Sequence, residues 1–256
     1  MSDLDLLRTL RLLELEAGLE YFPAPRGKSV HVLELGAGAG WQARQLESLG
    51  YQVSAVDLAQ SAYRNEQVFP VQTYDGRRLP FADGGFDVVF SSNVLEHVDD
   101  LAAFLAETAR VMTRGGVAVH ILPTPTWRIW SSLLHPLWVI KRGIRIVGRA
   151  KQDGRAVAPG ASPSGGPTQA ALKRLANLAP HRHGERGNVW SEAYYFSRRF
   201  WLRQFRDNGF KVLQARPAGI FYTECEIFGT KLPIASRRKL ARLLGSTCDI
   251  YYLALA

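Results

Sequence analysis

Residues 32 to 40 read VLELGAGAG, an apolar run with one acid followed by glycines at positions 36, 38 and 40. The expectation is a strand running into a tight turn, because glycine takes left-handed dihedrals without penalty and lets the backbone approach a ligand closely. Dehydrogenases and other nucleoside-binding enzymes place glycines at such a turn. By themselves the glycines leave the ligand open.

Upstream, Leu4 to Leu19 has helical spacing, and Pro23, Pro25 and Gly27 separate it from a first strand over Val30 to Leu35. Acids scattered among its leucines, without a small-residue cleavage signal, read as a surface helix rather than a signal peptide. Downstream, a helix over Gly40 to Leu49 stops at Gly50, and a strand over Gln52 to Val56 ends on Asp57. This is a βαβ unit, whose strands pair in parallel by default. Further strands are predicted over Val68 to Thr73, Phe86 to Ser91 and Val117 to Leu122, with a helix over Leu101 to Val111. From Pro123 to about Gly187 the alternation breaks. There WRIWSSLLHPLWVIKRGIRIVGR (127–149) is interrupted by Pro136 and Gly143, and AVAPGASPSGGPTQ (156–169) reads as a flexible loop. Regularity returns with a helix over Ser197 to Asn208, a strand over Phe210 to Ala215, a basic helix over Ala235 to Leu244 and a closing strand in TCDIYYLALA.

These landmarks in this order, VLELGAGAG, Asp57, Asp75 before LPF, FDVVFSSNVLEHVDD and ARVMTRGGVAVHILP, resemble the class I S-adenosylmethionine-dependent methyltransferases, in the branch acting on small molecules and lipids. The likeness is close over residues 29 to 123 and looser at FRDNGFKVL and the last strand. It implies an α/β, Rossmann-like fold: a mostly parallel seven-stranded sheet with an antiparallel terminal strand. The whole of residues 1–256 is then one domain, with residues 123–190 inserted after the fifth strand as an acceptor-binding or lid region. The dehydrogenase reading fails on spacing, since a pyrophosphate needs G-x-G-x-x-G and this chain has G-x-G-x-G.

The resemblance implies S-adenosyl-L-methionine as the cofactor and assigns its contacts residue by residue. Gly36, Ala37, Gly38 and Gly40 form the loop at its amino-acid part, Asp57 accepts the ribose hydroxyls, Leu58 covers the adenine, and Asp75 bonds the adenine amino group. Glu34 supports the loop, and Ser91 and its successors line the methionine moiety. His97 in VLEHVDD is the candidate base, an imidazole able to take a proton from a hydroxyl near neutral pH; its bland alternative is to hold the loop against Glu96 or Asp99. Trp127, His181, His183, Trp190 and Tyr194 are the candidate substrate contacts. His181 and His183, two apart in a glycine-rich loop, carry no metal expectation.

Bulk properties narrow the partner. A chain of 256 residues, 46% hydrophobic and 21% charged, suits one soluble globular domain, and Cys225 and Cys248 lack ligand or redox spacing. The formal charge of +9 suits an anionic partner. Tryptophans and basic residues over 127–149 fit a lid or an element lying on anionic lipid, and this stretch is too broken by charge to span a bilayer. The expected function is methylation, preferably at oxygen, of a small-molecule, lipid or glycan acceptor in the cytoplasm, with peripheral contact at the inner membrane surface. The chain lacks the Asn/Asp-Pro-Pro-aromatic tetrapeptide of many nitrogen-directed methyltransferases. An RNA methyltransferase is the runner-up, favoured by charge but lacking a basic and aromatic ladder. A non-catalytic scaffold is the third reading, disfavoured by the intact glycines, Asp57 and Asp75.

Overall fold

The computed structural model describes residues 3–27, 29–152, 182–224 and 229–256, with side chains for all of these except residues 3 and 142–152. Along the chain lie α1 (Asp3–Gly18), β1 (His31–Leu35), α2 (Trp41–Ser48), β2 (Gln52–Leu58), β3 (Gln72–Tyr74), β4 (Phe86–Ser92), α3 (Leu101–Val111) and β5 (Met112–Pro123). There follow α4 (Pro125–Gln152), α5 (Glu192–Tyr195), α6 (Arg198–Asp207), β6 (Phe210–Pro217), α7 (Ile234–Leu244) and β7 (Cys248–Leu255). The strands form one sheet in the order β3-β2-β1-β4-β5-β7-β6. The pairings of β1 with β2 and β4, of β2 with β3, and of β4 with β5 are parallel, whereas β7 runs antiparallel to both its neighbours.

The VLEL run becomes the central strand because a strand covered on both faces needs apolar residues at every step. Successive side chains point to opposite faces. Val32, Val88, Phe90 and Val119 accordingly share one core with Leu6, Leu10 and Leu15 of α1 and Leu46 of α2. Leu33, Leu35, Val89 and Ala118 share the other with Leu105 of α3 and Trp201 and Phe205 of α6. The helix predicted to lie on the surface at the N-terminus thus packs firmly on the sheet.

Two stretches differ from their sequence reading. The third strand begins at Gln72 rather than Val68, because Val68 donates its N–H to the Ala39 carbonyl and Phe69 packs under Gly40. The segment expected to be broken at Pro136 and Gly143 is one helix, α4. Its buried residues Trp127, Arg128, Ser131 and His135 recur at helical spacing, and Pro136 falls on the exposed side, where water can satisfy the carbonyl its ring leaves free. The proline- and glycine-rich loop at 156–169 lies outside the described residues.

Candidate active site

Strand order reverses between β1 and β4, and at such a switch point the carboxyl ends of parallel strands leave a crevice. A cavity of about 960 Å³ opens there, lined by Gly36, Ala37 and Gly38 after β1, Asp57 and Leu58 at the end of β2, Asp75 after β3, and Ser92 and Asn93 at the end of β4. His97, on a short turn over Leu95–His97, and His183 line it as well. His97 and the donor-side candidates Gly36, Ala37, Gly38, Asp57, Leu58 and Asp75 therefore share the wall of one cavity. Glu34, Gly40 and Ser91 stand behind that wall. Glu34 accepts the N–H of Ala43, Gly40 precedes α2 with its Cα against Phe69, and the buried Ser91 hydroxyl pairs with Nδ1 of His120 at 2.8 Å.

Among the described substrate candidates, only His183 lines the cavity. Trp127 is buried one layer back, its ring 4.5 Å from that of His183. Trp190 is 88% exposed, and Tyr194 packs on Tyr195 and Phe200 with half its surface in solvent. His181 lies outside the described residues.

The glycine turn is held by the acid that follows it in sequence. Asp57 accepts the Gly38 N–H at 2.7 Å, the Leu58 N–H at 2.7 Å and the Ser61 hydroxyl at 2.9 Å. Gly36 and Gly38 take φ of 67° and 56°. A Cβ on Gly36 would stand 2.5 Å from Cγ2 of Val94, so any other residue there would strain the backbone and push against Val94. Asp75 accepts the N–H groups of Arg77 and Arg78 at 2.9 and 3.0 Å, and these bonds hold its carboxyl below the usual range. Two carboxylates beside the turn disfavour a phosphate and suit a ligand offering hydroxyl and amino donors. An adenosyl group carrying an amino acid fits that requirement.

Burial perturbs the titratable groups around this cavity. It pushes Glu34 up to about 8, with further help from the charge on Asp57. Burial lowers His97, which is therefore a neutral acceptor near pH 7, and lowers His183 to about 3. Glu96, beside His97, is fully buried and pushed up to about 8.

Other site residues escaped the sequence reading. Arg11 of α1 lines the cavity and is held by Glu14 at 2.5 Å, while Gln42 donates to the Arg11 carbonyl. Glu14 is fully buried and also accepts from Ser92 at 2.7 Å, Asn93 at 3.2 Å and the Tyr222 hydroxyl at 2.5 Å. One signal was present: Glu14 continues the Leu6, Leu10 line at an interval of four, so an acid sits where the helix buries its leucines. Asn93, expected with Ser91 and Ser92 to line the methionine moiety, has φ of 56°, an uncommon conformation outside glycine that sequence alone does not announce. Glu192 is also buried, pairs with Arg128 at 3.3 Å, and accepts the His183 and Gly184 N–H groups at 2.6 and 2.7 Å.

Residues 33–120 match the family described as a methyltransferase domain. A demethylmenaquinone methyltransferase of Corynebacterium efficiens is 32% identical over 127 residues, 49% of this chain and 51% of that protein. A ubiquinone biosynthesis O-methyltransferase of Bartonella quintana is 30% identical over 112 residues, 41% of this chain and 45% of its own. A malonyl-[acyl-carrier protein] O-methyltransferase of Erwinia billingiae is 32% identical over 97 residues, covering 36% and 39% of the two chains. The chain spans about half the length, or less, of these curated relatives. Among solved structures, an S-adenosylmethionine-dependent methyltransferase from Mesorhizobium loti superposes with a TM-score of 0.54 at 16% identity, covering 94% of this chain and 97% of that one.

Proposed function

From a methyltransferase domain at residues 33–120 on a class I methyltransferase fold, we propose that the protein transfers the methyl group of S-adenosylmethionine to an oxygen of a small-molecule, lipid or glycan acceptor. The observation that carries this is a single cavity lined by the glycine turn, Asp57 and Asp75 together with His97 and His183. Relatives named for demethylmenaquinone, ubiquinone biosynthesis and malonyl-acyl-carrier protein support a small acceptor over a nucleic acid.

The cofactor supplies an electrophilic sulfonium methyl. Asp57 and Asp75 offer acceptors for ribose hydroxyls and the adenine amino group, and Leu58 offers an apolar surface. Glu34 anchors the turn through Ala43. Most of the rate enhancement in a direct displacement can come from holding acceptor and methyl in line, so the cavity's main task is orientation. His97, neutral and cavity-facing, is placed to accept the proton of an acceptor hydroxyl. The test is incubation with methyl-labelled S-adenosylmethionine and fractionated extract, which should label a small-molecule or lipid fraction. Label confined to RNA would transfer the function to the RNA reading, and folded protein that binds no S-adenosylhomocysteine in calorimetry would leave only the scaffold.

A second reading, peripheral contact with an anionic membrane, is favoured by α4. Ile129, Leu133, Leu137 and Ile140 are exposed at intervals of four, four and three, and Lys141, Arg142, Arg145 and Arg149 follow in sequence. Among the described residues no helix is long and apolar enough to cross a membrane. Co-sedimentation with phosphatidylserine vesicles is expected to fall in a Leu133→Glu, Leu137→Glu variant; unchanged sedimentation overturns the reading.

A further inference from the structure

Two segments about 90 residues apart are stapled together at the acceptor end of the cavity. Glu185 donates its N–H to the Glu96 carbonyl at 2.8 Å, and the Arg186 guanidinium donates to the carbonyls of Leu95, Val98 and Asp99. A Cβ on Gly184 would stand 2.9 Å from the Glu96 carbonyl oxygen, so the chains could not approach this closely with any other residue there. The staple brings Glu96, His97 and His183 together, with one ligand-type atom from each within 4.8 Å of the others. Within this group Oε1 of Glu96 is 3.9 Å from Nε2 of His97, and the two imidazole rings meet edge to face at 4.7 Å.

Glu96 gives the cluster its meaning. Its side chain has no solvent exposure, and neither carboxylate oxygen has a hydrogen bond from another residue. A buried acid without partners costs free energy whether charged or protonated, because a protonated carboxyl still carries an O–H to satisfy. A packing role would be served better by leucine.

We propose that Glu96, His97 and His183 form a binding site for a divalent transition-metal ion at the acceptor end of the cavity. One carboxylate and two imidazoles suit a borderline cation such as Zn²⁺ or Co²⁺ best, with the harder Mn²⁺ weaker and Ca²⁺ or Mg²⁺ weaker still. Bonds of about 2.1 Å to one ion bring ligand atoms to roughly 3 Å from each other, so side-chain rotations of an ångström or two complete the set. Three protein ligands leave positions open, and His97 and His183 both line the cavity; with the ion bound, the His97 lone pair is taken up in ligation, and the ion replaces it as the group that draws off the hydroxyl proton. There the ion takes acceptor oxygens and favours the deprotonated form of a hydroxyl. This acceptor role rests on the methyltransferase reading; ion binding does not.

The experiment uses tag-free, chelator-stripped protein titrated with Co²⁺ by visible absorption and with Zn²⁺ and Mn²⁺ by calorimetry, with S-adenosylhomocysteine binding measured separately. Wild type should bind with cobalt ligand-field bands. His97→Ala and His183→Ala should each weaken binding at least ~10-fold, while S-adenosylhomocysteine affinity and thermal melting stay near wild type. The exposed His31→Ala control should bind as wild type. Glu96→Gln should behave like the histidine variants, and if it fails to fold, His183→Ala decides. Absence of binding at roughly 1 mM ion, where even a ~1 mM Kd is visible, or binding undiminished in the His97→Ala, His183→Ala double variant, overturns the site. Loss of S-adenosylhomocysteine binding with metal binding intact instead counts against the donor reading alone.

Discussion

At the scale of single residues, the glycine turn shows two separable constraints. Gly27 and Gly36 both have φ near 70°, but a Cβ on Gly27 meets nothing within 4 Å whereas one on Gly36 runs into Val94. Gly27→Ala should cost only the left-handed strain, ~1 kcal/mol. Gly36→Ala adds overpacking, ~1–3 kcal/mol more, and should weaken S-adenosylhomocysteine binding because the turn lines the cavity. Urea unfolding of the two variants beside calorimetry checks both statements, and equal losses of stability would show that Val94 yields. The glycine pattern was legible in sequence because dihedral preference is local. What Gly36 presses against was not, since Val94 lies on another strand's loop.

Among elements, α1 acts as part of the site rather than as a surface helix. It is joined to the end of β4 through Glu14, which serves Arg11, Ser92, Asn93 and Tyr222 at once. Removing one member of a buried charged network strands the others, typically at ~3–5 kcal/mol. Glu14→Ala is therefore expected to lower the urea midpoint by that order and to loosen the Arg11 side of the cavity. A variant as stable as wild type would mean that Arg11 finds water when its partner is gone. The element boundaries of β1, α3 and β7 followed from apolar periodicity and glycine stops. The continuity of α4 did not, because a proline reads as a break until burial of Trp127, Arg128, Ser131 and His135 is known to hold the turns leading up to it against the body of the protein.

For the whole molecule, stability against pH follows from two buried groups on neighbouring parts of the sheet. His120 on β5 is fully buried, stacked 5.8 Å from Phe205, and lowered by burial to about 3 from an ordinary 6.5. Because the unfolded chain takes up this proton first, stability is intact above pH 6.5 and is lost as pH falls toward 3. Glu34 on β1 is raised to about 8 from 4.5, so its folded form keeps a proton that the unfolded chain releases. Stability from this group is full below pH 4.5 and declines as pH rises through about 8. Each group contributes a slope of up to ~1.4 kcal/mol per pH unit inside its window. Thermal melting across pH should show an acid limb flattened in His120→Leu and an alkaline limb flattened in Glu34→Gln. A melting profile unchanged by either substitution would place both groups in contact with water.

The sequence by itself determined the local geometry of the donor side: the strand, glycine turn and acid of VLELGAGAG and Asp57, the βα alternation, and a glycine spacing that disfavours a dinucleotide. These depend on dihedral preference, apolar period and residue spacing, all short-range properties written in consecutive residues. Tertiary structure alone decided which acids are buried and what meets across the cavity. It placed Glu14 against Tyr222, stapled the loop at His183 onto the turn at Glu96, and turned Trp190 to solvent. Pairings between residues 90 to 200 positions apart cost chain entropy and are fixed by the packing of the entire sheet, so no local pattern records them.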